Sequence, residues 1–219
     1  AQAGLTGGGA ARRDYQVAAL LPAGHAAIGV AGQKVAQGYH TFKWKIGVAP
    51  VAVEQALFNQ LSAALPAHAR LRLDANCGLS PQQLESWLHF LQAHRARVEY
   101  VEQPLPVGQE AAMADCAAAS GVAIALDESL NGAQGARWLR PGGWSGPLVV
   151  KPALAGERDR LLERLRPLAA QLVLSSVFET PIGVDNALQL ADQLPALPRA
   201  IGFDTLAAFD DGLAALRPA

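Results

Sequence analysis

Six side chains in this sequence could together do chemistry that none could do alone: the acids Asp74, Glu102 and Asp127, and the lysines Lys43, Lys45 and Lys151. Three carboxylates brought together without a cation repel and raise one another's pKa. With a divalent cation they form a hard-oxygen site that leaves positions for substrate and water. That donor set suits magnesium, with manganese as the alternative. A metal between lysines can stabilise an enolate while a neutral lysine removes the proton next to a carboxylate. Burial and neighbouring cations both lower a lysine pKa toward the range such a base needs.

Strands must deliver these groups. His40–Gly47 reads His-Thr-Phe-Lys-Trp-Lys-Ile-Gly, a strand composition. Side chains alternate along a strand, so Lys43 and Lys45 share one face and Phe42, Trp44 and Ile46 the other. Two like charges on an inward face are costly unless something anionic faces them. Eight short apolar runs are expected as strands: Gln16–Leu21, Thr41–Ile46, Leu71–Asn76, Val98–Gln103, Val122–Glu128, Leu148–Ala153, Leu172–Val177 and Ala200–Thr205. Helices are expected between them, over Gly32–Gln37, Val51–Leu65, Pro81–His94, Glu110–Ser120, Ala133–Leu139, Glu157–Ala170 and Val184–Leu194. Ser80-Pro81-Gln82-Gln83 marks a helix start with an N-cap, a proline and a capping-box glutamine, and Pro50 and Pro181 sit near two others.

A pitch of roughly 25 residues per unit predicts an α/β fold, a TIM-like (β/α)7β barrel, with a doubly wound sheet as the alternative. Barrel chemistry sits at the carboxyl ends of strands. Asp74, Glu102 and Asp127 end three consecutive runs. Lys43 and Lys45 lie on the second run and Lys151 ends the sixth, so the lysines are expected on opposite walls of the acids.

Each of these residues also has a plainer reading. A lone strand-end acid is as often structural as functional, but three in succession bracketed by lysines make a poor coincidence. Lys151 alone could be a Schiff-base lysine of an aldolase, a chemistry with no use for the three acids. Arg72 and Asn76 share a face with Asp74 and are expected to support it. Ser175 and Ser176 read as loop hydrogen-bonders, because no histidine is placed to activate them. Glu128 and Glu179 read as structural, and Asp204 is open. None of the five histidines is paired at metal-ligand spacing, which argues against a zinc hydrolase. Gly142-Gly143 precedes a strand, at the wrong end of a barrel to cradle phosphate. Trp87 and Trp138 read as packing.

The bulk of the chain narrows the class. Its 219 residues are 51% hydrophobic with a net charge of −1, enough for a full core and without a basic run for nucleic acid or an anionic membrane. Cys77 and Cys116 are too few for a disulfide framework or a zinc cluster, so a cytoplasmic location is expected. No run approaches a membrane span. Arg12-Arg13 only faintly imitates a twin-arginine signal, since Asp14, Pro22 and a short apolar run follow. Residues 1–15, with Gly7-Gly8-Gly9, read as a flexible lead-in, and 16–219 as one catalytic barrel domain without a linker. Composition fixes no oligomeric state.

Taken together, Lys-x-Lys on the second strand, Asp-Ala-Asn on the third, Glu-Gln-Pro on the fourth, Asp-Glu-Ser on the fifth and Lys-Pro on the sixth resemble the enolase superfamily. More narrowly they are similar to its muconate-lactonizing-enzyme subgroup, from about Gln16 to Leu216. The resemblance implies that Lys45 is the base and that Lys43 beside it lowers its pKa. It implies that Asp74, Glu102 and Asp127 hold magnesium. Lys151 would stabilise an anionic intermediate by charge and a cation–π contact. Ser175 and Gly202 fall where the family contacts the succinyl or carboxylate end of a small dicarboxylate substrate.

Within the subgroup, the motifs are most similar to enzymes that dehydrate 2-succinyl-6-hydroxy-2,4-cyclohexadiene-1-carboxylate to 2-succinylbenzoate in menaquinone and phylloquinone biosynthesis. By that likeness Lys45 takes the proton alpha to the ring carboxylate and then protonates the departing hydroxyl. Dipeptide epimerases share the metal and lysine positions but usually carry Asp-x-Asp on the eighth strand, where this chain has Gly202. N-succinylamino-acid racemisation and a non-catalytic binding barrel are the further alternatives. The family places an α+β capping domain before the barrel. This chain starts about one strand before Lys43, so that domain is expected to be missing from it, which bears on activity because closure excludes water.

Overall fold

The computed structural model describes residues 4–6 and 13–205 of the chain. In chain order the strands and helices are β1 (Gly4–Thr6), β2 (Asp14–Gln16), β3 (Ala18–Leu21), α1 (Ala26–Ala36), β4 (Thr41–Lys45), α2 (Val51–Ala64), β5 (Arg70–Asp74), α3 (Pro81–Leu91), β6 (Val98–Glu102), α4 (Glu110–Ser120), β7 (Ile124–Ala125), α5 (Gly132–Gly135), β8 (Leu148–Val150), α6 (Arg158–Leu165), β9 (Leu172–Leu174) and α7 (Pro181–Asp192). They divide into two compact units. The first holds Ala19–Ser129 with Ser145–Pro147, and the second holds the described remainder.

The first unit is built on the sheet β3-β4-β5-β6-β7, with β4 to β7 paired in parallel. Its register levels the site: Lys45 stands opposite Asp74, and Asp74 opposite Glu102. Phe42, Trp44, Leu71, Leu73 and Val101 are almost wholly buried, as expected for the apolar face of strands covered by helices. The expected capping box starts α3: Ser80 Oγ accepts from Gln83 N at 3.2 Å and Gln83 Oε1 from Ser80 N at 2.8 Å. Pro50 precedes α2. The far end of α2 is closed by Arg97, whose guanidinium donates to the carbonyls of Ser62, Leu65, Pro66, Ala67 and Ala69. Trp87 is buried and packs edge-on to Phe90, as expected of a packing residue.

In the second unit β8 and β9 pair in parallel. The eighth expected strand, Ala200–Thr205, is reduced to two parallel bridges, Val17 with Ile201 and Ser175 with Gly202. Pro181 is the first residue of α7, and Trp138 packs edge-on to Trp144.

Several boundaries differ from expectation. The run Gln16–Leu21 is broken at Val17, which bridges Ile201 between β2 and β3. Helix α1 begins at Ala26 and not at Gly32, because Ala27 and Ala31, one turn apart, are buried and outweigh the poor helix propensity of Gly29 and Gly32. Helix α5 spans Gly132–Gly135 and so covers only the start of the expected Ala133–Leu139. Within the stretch read as a flexible lead-in, Gly4–Thr6 pair antiparallel with Asp14–Gln16; its other residues before Arg13 lie outside the described residues, as does the chain beyond Thr205. Cys77 and Cys116 are free thiols. Among the described residues no helix is long and apolar enough to cross a membrane.

Candidate active site

Lys43 is the electrostatic centre of the first unit. Its Nζ lies 2.8 Å from Asp74 Oδ2 and 2.8 Å from Glu102 Oε1, bridging acids from two adjacent strands. Burial works against the charge, but the Glu102 and Asp74 carboxylates outweigh it and hold the ammonium protonated well above the usual lysine range. The sequence places both lysines on a buried face, and the structure corrects this for Lys45. Lys43 lies within the strand and its side chain is 17% exposed, whereas Lys45 ends β4 and is exposed at the rim. The cation expected to tune Lys45 is itself committed to two acids.

Burial pushes the Glu102 carboxyl above the usual carboxylate range, against the pull of Lys43 and with Asp74 and Asp127 adding to the rise. The three acids are therefore within electrostatic reach of one another. Among the described residues Glu102 Oε2, which is buried, has no hydrogen-bond partner. A buried carboxylate oxygen left without a partner, with two further acids nearby, fits a hard divalent cation. As the side chains stand, no three His, Cys, Asp or Glu among the described residues are gathered into a metal-holding group.

Lys45 Nζ donates to Asn76 Oδ1 at 2.8 Å, and Asn76 Nδ2 donates to Glu128 Oε1 at 3.3 Å. Asn76 reaches Asp74 only through its backbone N–H, 3.1 Å from Oδ1, and not through the side chain expected to share its face. Arg72 does not support Asp74. Its Nε donates to Glu99 Oε2 at 2.5 Å, and the guanidinium lies 5.1 Å from the Tyr100 ring. The physical reason is reach: the neighbouring strand offers Glu99 to Arg72, while Lys43 already occupies Asp74. Glu128 is more than structural filling, since it orients the amide that Lys45 contacts.

The loops that carry these groups are held in uncommon conformations. Asn76, Cys77 and Gln103 have φ of +43°, +62° and +33°, all just past the ends of β5 and β6. Such residues cost of order 1–3 kcal/mol each and persist where the surroundings over-determine them. Gln103 shows how. Buried beside Glu102, its Oε1 accepts from Asp127 N at 3.0 Å and from Ser129 N at 3.2 Å. Sequence reading passed over Gln103 and Ser129, although both stand in the Glu-Gln-Pro and Asp-Glu-Ser motifs, because a neutral side chain carries no charge that marks it as part of a site. It also passed over Glu54, whose carboxylate accepts from the main chain of the loop after β4. One histidine pair is also new: His68 Nε2 and His40 Nδ1 are 3.0 Å apart, with both residues exposed.

In the second unit, Lys151 directly follows β8. Ser175 and Gly202 are brought together as a bridge, and a Cβ added to Gly202 would lie 2.7 Å from Ser175 Oγ. Ser176 is tied to Glu179 and Thr205, the loop role expected of it.

Residues 27–156 match the enolase C-terminal domain-like family. Over 174 residues the chain is 43% identical to o-succinylbenzoate synthase of Thermosynechococcus vestitus, covering 78% of this chain and 54% of that protein. It is 28% identical over 198 residues to chloromuconate cycloisomerase of Delftia acidovorans, covering 87% of this chain and 53% of the relative. The chain thus spans about half the length of these curated relatives. Among solved structures, o-succinylbenzoate synthase from Thermosynechococcus elongatus, complexed with magnesium in its active site, superposes with a TM-score of 0.76 at 37% identity. That match covers 93% of this chain and 68% of the other. The motifs at the strand ends, the parallel α/β sheet and these likenesses agree, and the chain belongs to the enolase C-terminal domain-like family.

Proposed function

We propose that this chain carries the catalytic machinery of an o-succinylbenzoate synthase, a lyase that dehydrates 2-succinyl-6-hydroxy-2,4-cyclohexadiene-1-carboxylate to 2-succinylbenzoate in menaquinone and phylloquinone biosynthesis. The observation that carries the reading is the level array Lys45, Asp74, Glu102 across three adjacent strands. Likeness to o-succinylbenzoate synthases supports the choice within the family. The reading includes the (β/α)7β barrel expected from the sequence and a small dicarboxylate as substrate.

Asp74, Glu102 and Asp127 are the residues that hold magnesium, which when bound supplies positive charge against the negative charge that develops on the substrate carboxylate. Lys45 removes the proton alpha to that carboxylate. Asn76, as acceptor for the lysine Nζ, limits where the amine can point. The same lysine then returns the proton to the departing hydroxyl, so water leaves and the ring becomes aromatic. Lys151 supplies a cation to the ring. Ser175 and Gly202 receive the succinyl or carboxylate end. A glycine where the epimerases carry the first Asp of Asp-x-Asp favours a substrate without an ammonium group, since no carboxylate is offered to one there.

The test is a dehydration assay on the purified chain. Aromatic product should appear only with magnesium, vanish on chelation and return on its resupply. Lys45→Ala should lower kcat by about 10²–10⁴-fold, the usual contribution of a positioned base. Undiminished turnover in that variant or after exhaustive chelation overturns the proposal. So does product binding without turnover at any magnesium level, which is the behaviour of a binding barrel. N-succinylamino acids assayed alongside separate dehydration from racemisation.

A further inference from the structure

One buried polar chain in the first unit is not used by the mechanism above. Gln103, Ser129 and Glu110 are 0%, 2% and 2% exposed. Gln103 Nε2 donates to Ser129 Oγ at 2.8 Å, and Ser129 Oγ donates to Glu110 Oε1 at 2.7 Å. A carboxylate only accepts, so the single hydroxyl proton of Ser129 goes to Glu110 and its lone pair is left for Gln103. That order fixes the Gln103 amide. Its Nε2 faces Ser129 and the carbonyl of Leu105 at 3.1 Å, which turns Oε1 toward the backbone N–H groups of Asp127 and Ser129. Glu110 is anchored in turn, accepting from Gly108 N at 3.0 Å at the start of α4. Glu102 precedes Gln103 in the chain, so one buried amide joins the main chains that carry two of the three acids.

We infer that Ser129 and Glu110 are positioning residues, which act through the Gln103 amide to set Asp127 against Glu102 for a divalent cation. The inference rests on the functional reading above for the cation; the hydrogen-bonded chain stands on geometry. It deepens the site in a specific way. Lys43 ties Asp74 to Glu102, but the like charges of Glu102 and Asp127 cannot by themselves set a spacing between them. A rigid amide between their backbones can, and it is oriented by a carboxylate that never touches the metal. Partners of this kind are worth 10–100-fold in metal affinity where they have been removed.

The experiment compares magnesium binding, measured by calorimetry on the full chain, with thermal unfolding and with hydrogen exchange of the Asp127 amide. Ser129→Ala and Glu110→Ala should weaken magnesium binding by roughly 10–100-fold and speed exchange at Asp127. Glu110→Gln, whose carbonyl oxygen still accepts from Ser129, should restore binding close to that of the unaltered chain. If Ser129→Ala does not fold, the contrast between Glu110→Gln and Glu110→Ala decides. Unchanged magnesium affinity in the alanine variants, or an equal loss in Glu110→Gln and Glu110→Ala, overturns the inference. An unaltered chain that binds no magnesium overturns the functional reading, and the positioning role is then upheld or overturned by exchange at Asp127 alone.

Discussion

Glu54 is on the first turn of α2, yet it is 1% exposed because its carboxylate turns back onto the loop that follows β4. Oε2 accepts from Gly47 N at 2.9 Å, and Oε1 accepts from Val48 N at 2.9 Å and Ala49 N at 3.0 Å. Hydrogen bonds to a charged acceptor contribute about 1.5–3 kcal/mol each when both partners stay dry. Here the side chain of Val48 is 54% exposed, so the freed N–H groups can turn to water and recover much of that. For Glu54→Ala we expect a loss of about 2–4 kcal/mol. Glu54→Gln keeps one acceptor oxygen and should lose about half as much. Gly47, at φ +80° with Leu79 Cδ2 3.1 Å from where a Cβ would be, already constrains the loop, so the damage should stay local. Urea unfolding followed by tryptophan fluorescence measures this directly, since Trp44 and Trp87 are buried in the same unit. The loop leaves the sheet two residues after Lys45, so turnover should fall by more than KM rises. A stability change below about 0.5 kcal/mol in Glu54→Ala, within the ordinary range for surface substitutions, refutes the reasoning.

Three further outcomes are expected. Tyr15 Oη donates to Asp192 Oδ1 at 2.8 Å, and burial followed by that partner holds the phenol well above its usual range. A folded pKa above the unfolded value of about 10 means that this stability is complete below pH 10 and lost as pH rises beyond it. Tyr15→Phe should flatten the alkaline loss and cost about 1–2 kcal/mol at neutral pH, read from unfolding midpoints across pH. Gly202→Asp drives a Cβ against Ser175 Oγ, so it should destabilise by about 1–3 kcal/mol and depress dehydration, measured by thermal unfolding and product formation. Arg97→Met removes a donor shared by five carbonyls around the end of α2, of which Pro66 O keeps the Ala69 N–H, and should cost about 2–4 kcal/mol in urea unfolding.

Much of the sheet was legible because strand alternation and helix capping are local. Ser80 with Gln83 forms the capping box that its spacing announces. The face holding Phe42 and Trp44 is buried as a period of two requires. What misled was equally specific. Two glycines disguise the first half of α1, and Val17 reads as ordinary strand although it bridges the distant Ile201. Arg72 looked like a partner for Asp74 because same-strand neighbours are visible in a sequence, whereas Glu99, its partner, is on the next strand.

The sequence by itself determined which side chains reach the carboxyl ends of the strands: the acids Asp74 and Glu102 and the lysine Lys45 follow from strand period and strand end, though the exposure of Lys45 does not. Tertiary structure alone decided how their charges are shared. Lys43 is a bridge between acids because parallel register brings Glu102, 59 residues away, to 2.8 Å from its ammonium. Gln103 is a spacer between acids because its backbone turns to positive φ and aims a neutral amide at Asp127. Hydrogen-bond direction and long-range register are properties of the folded main chain, and no spacing of residue types encodes them.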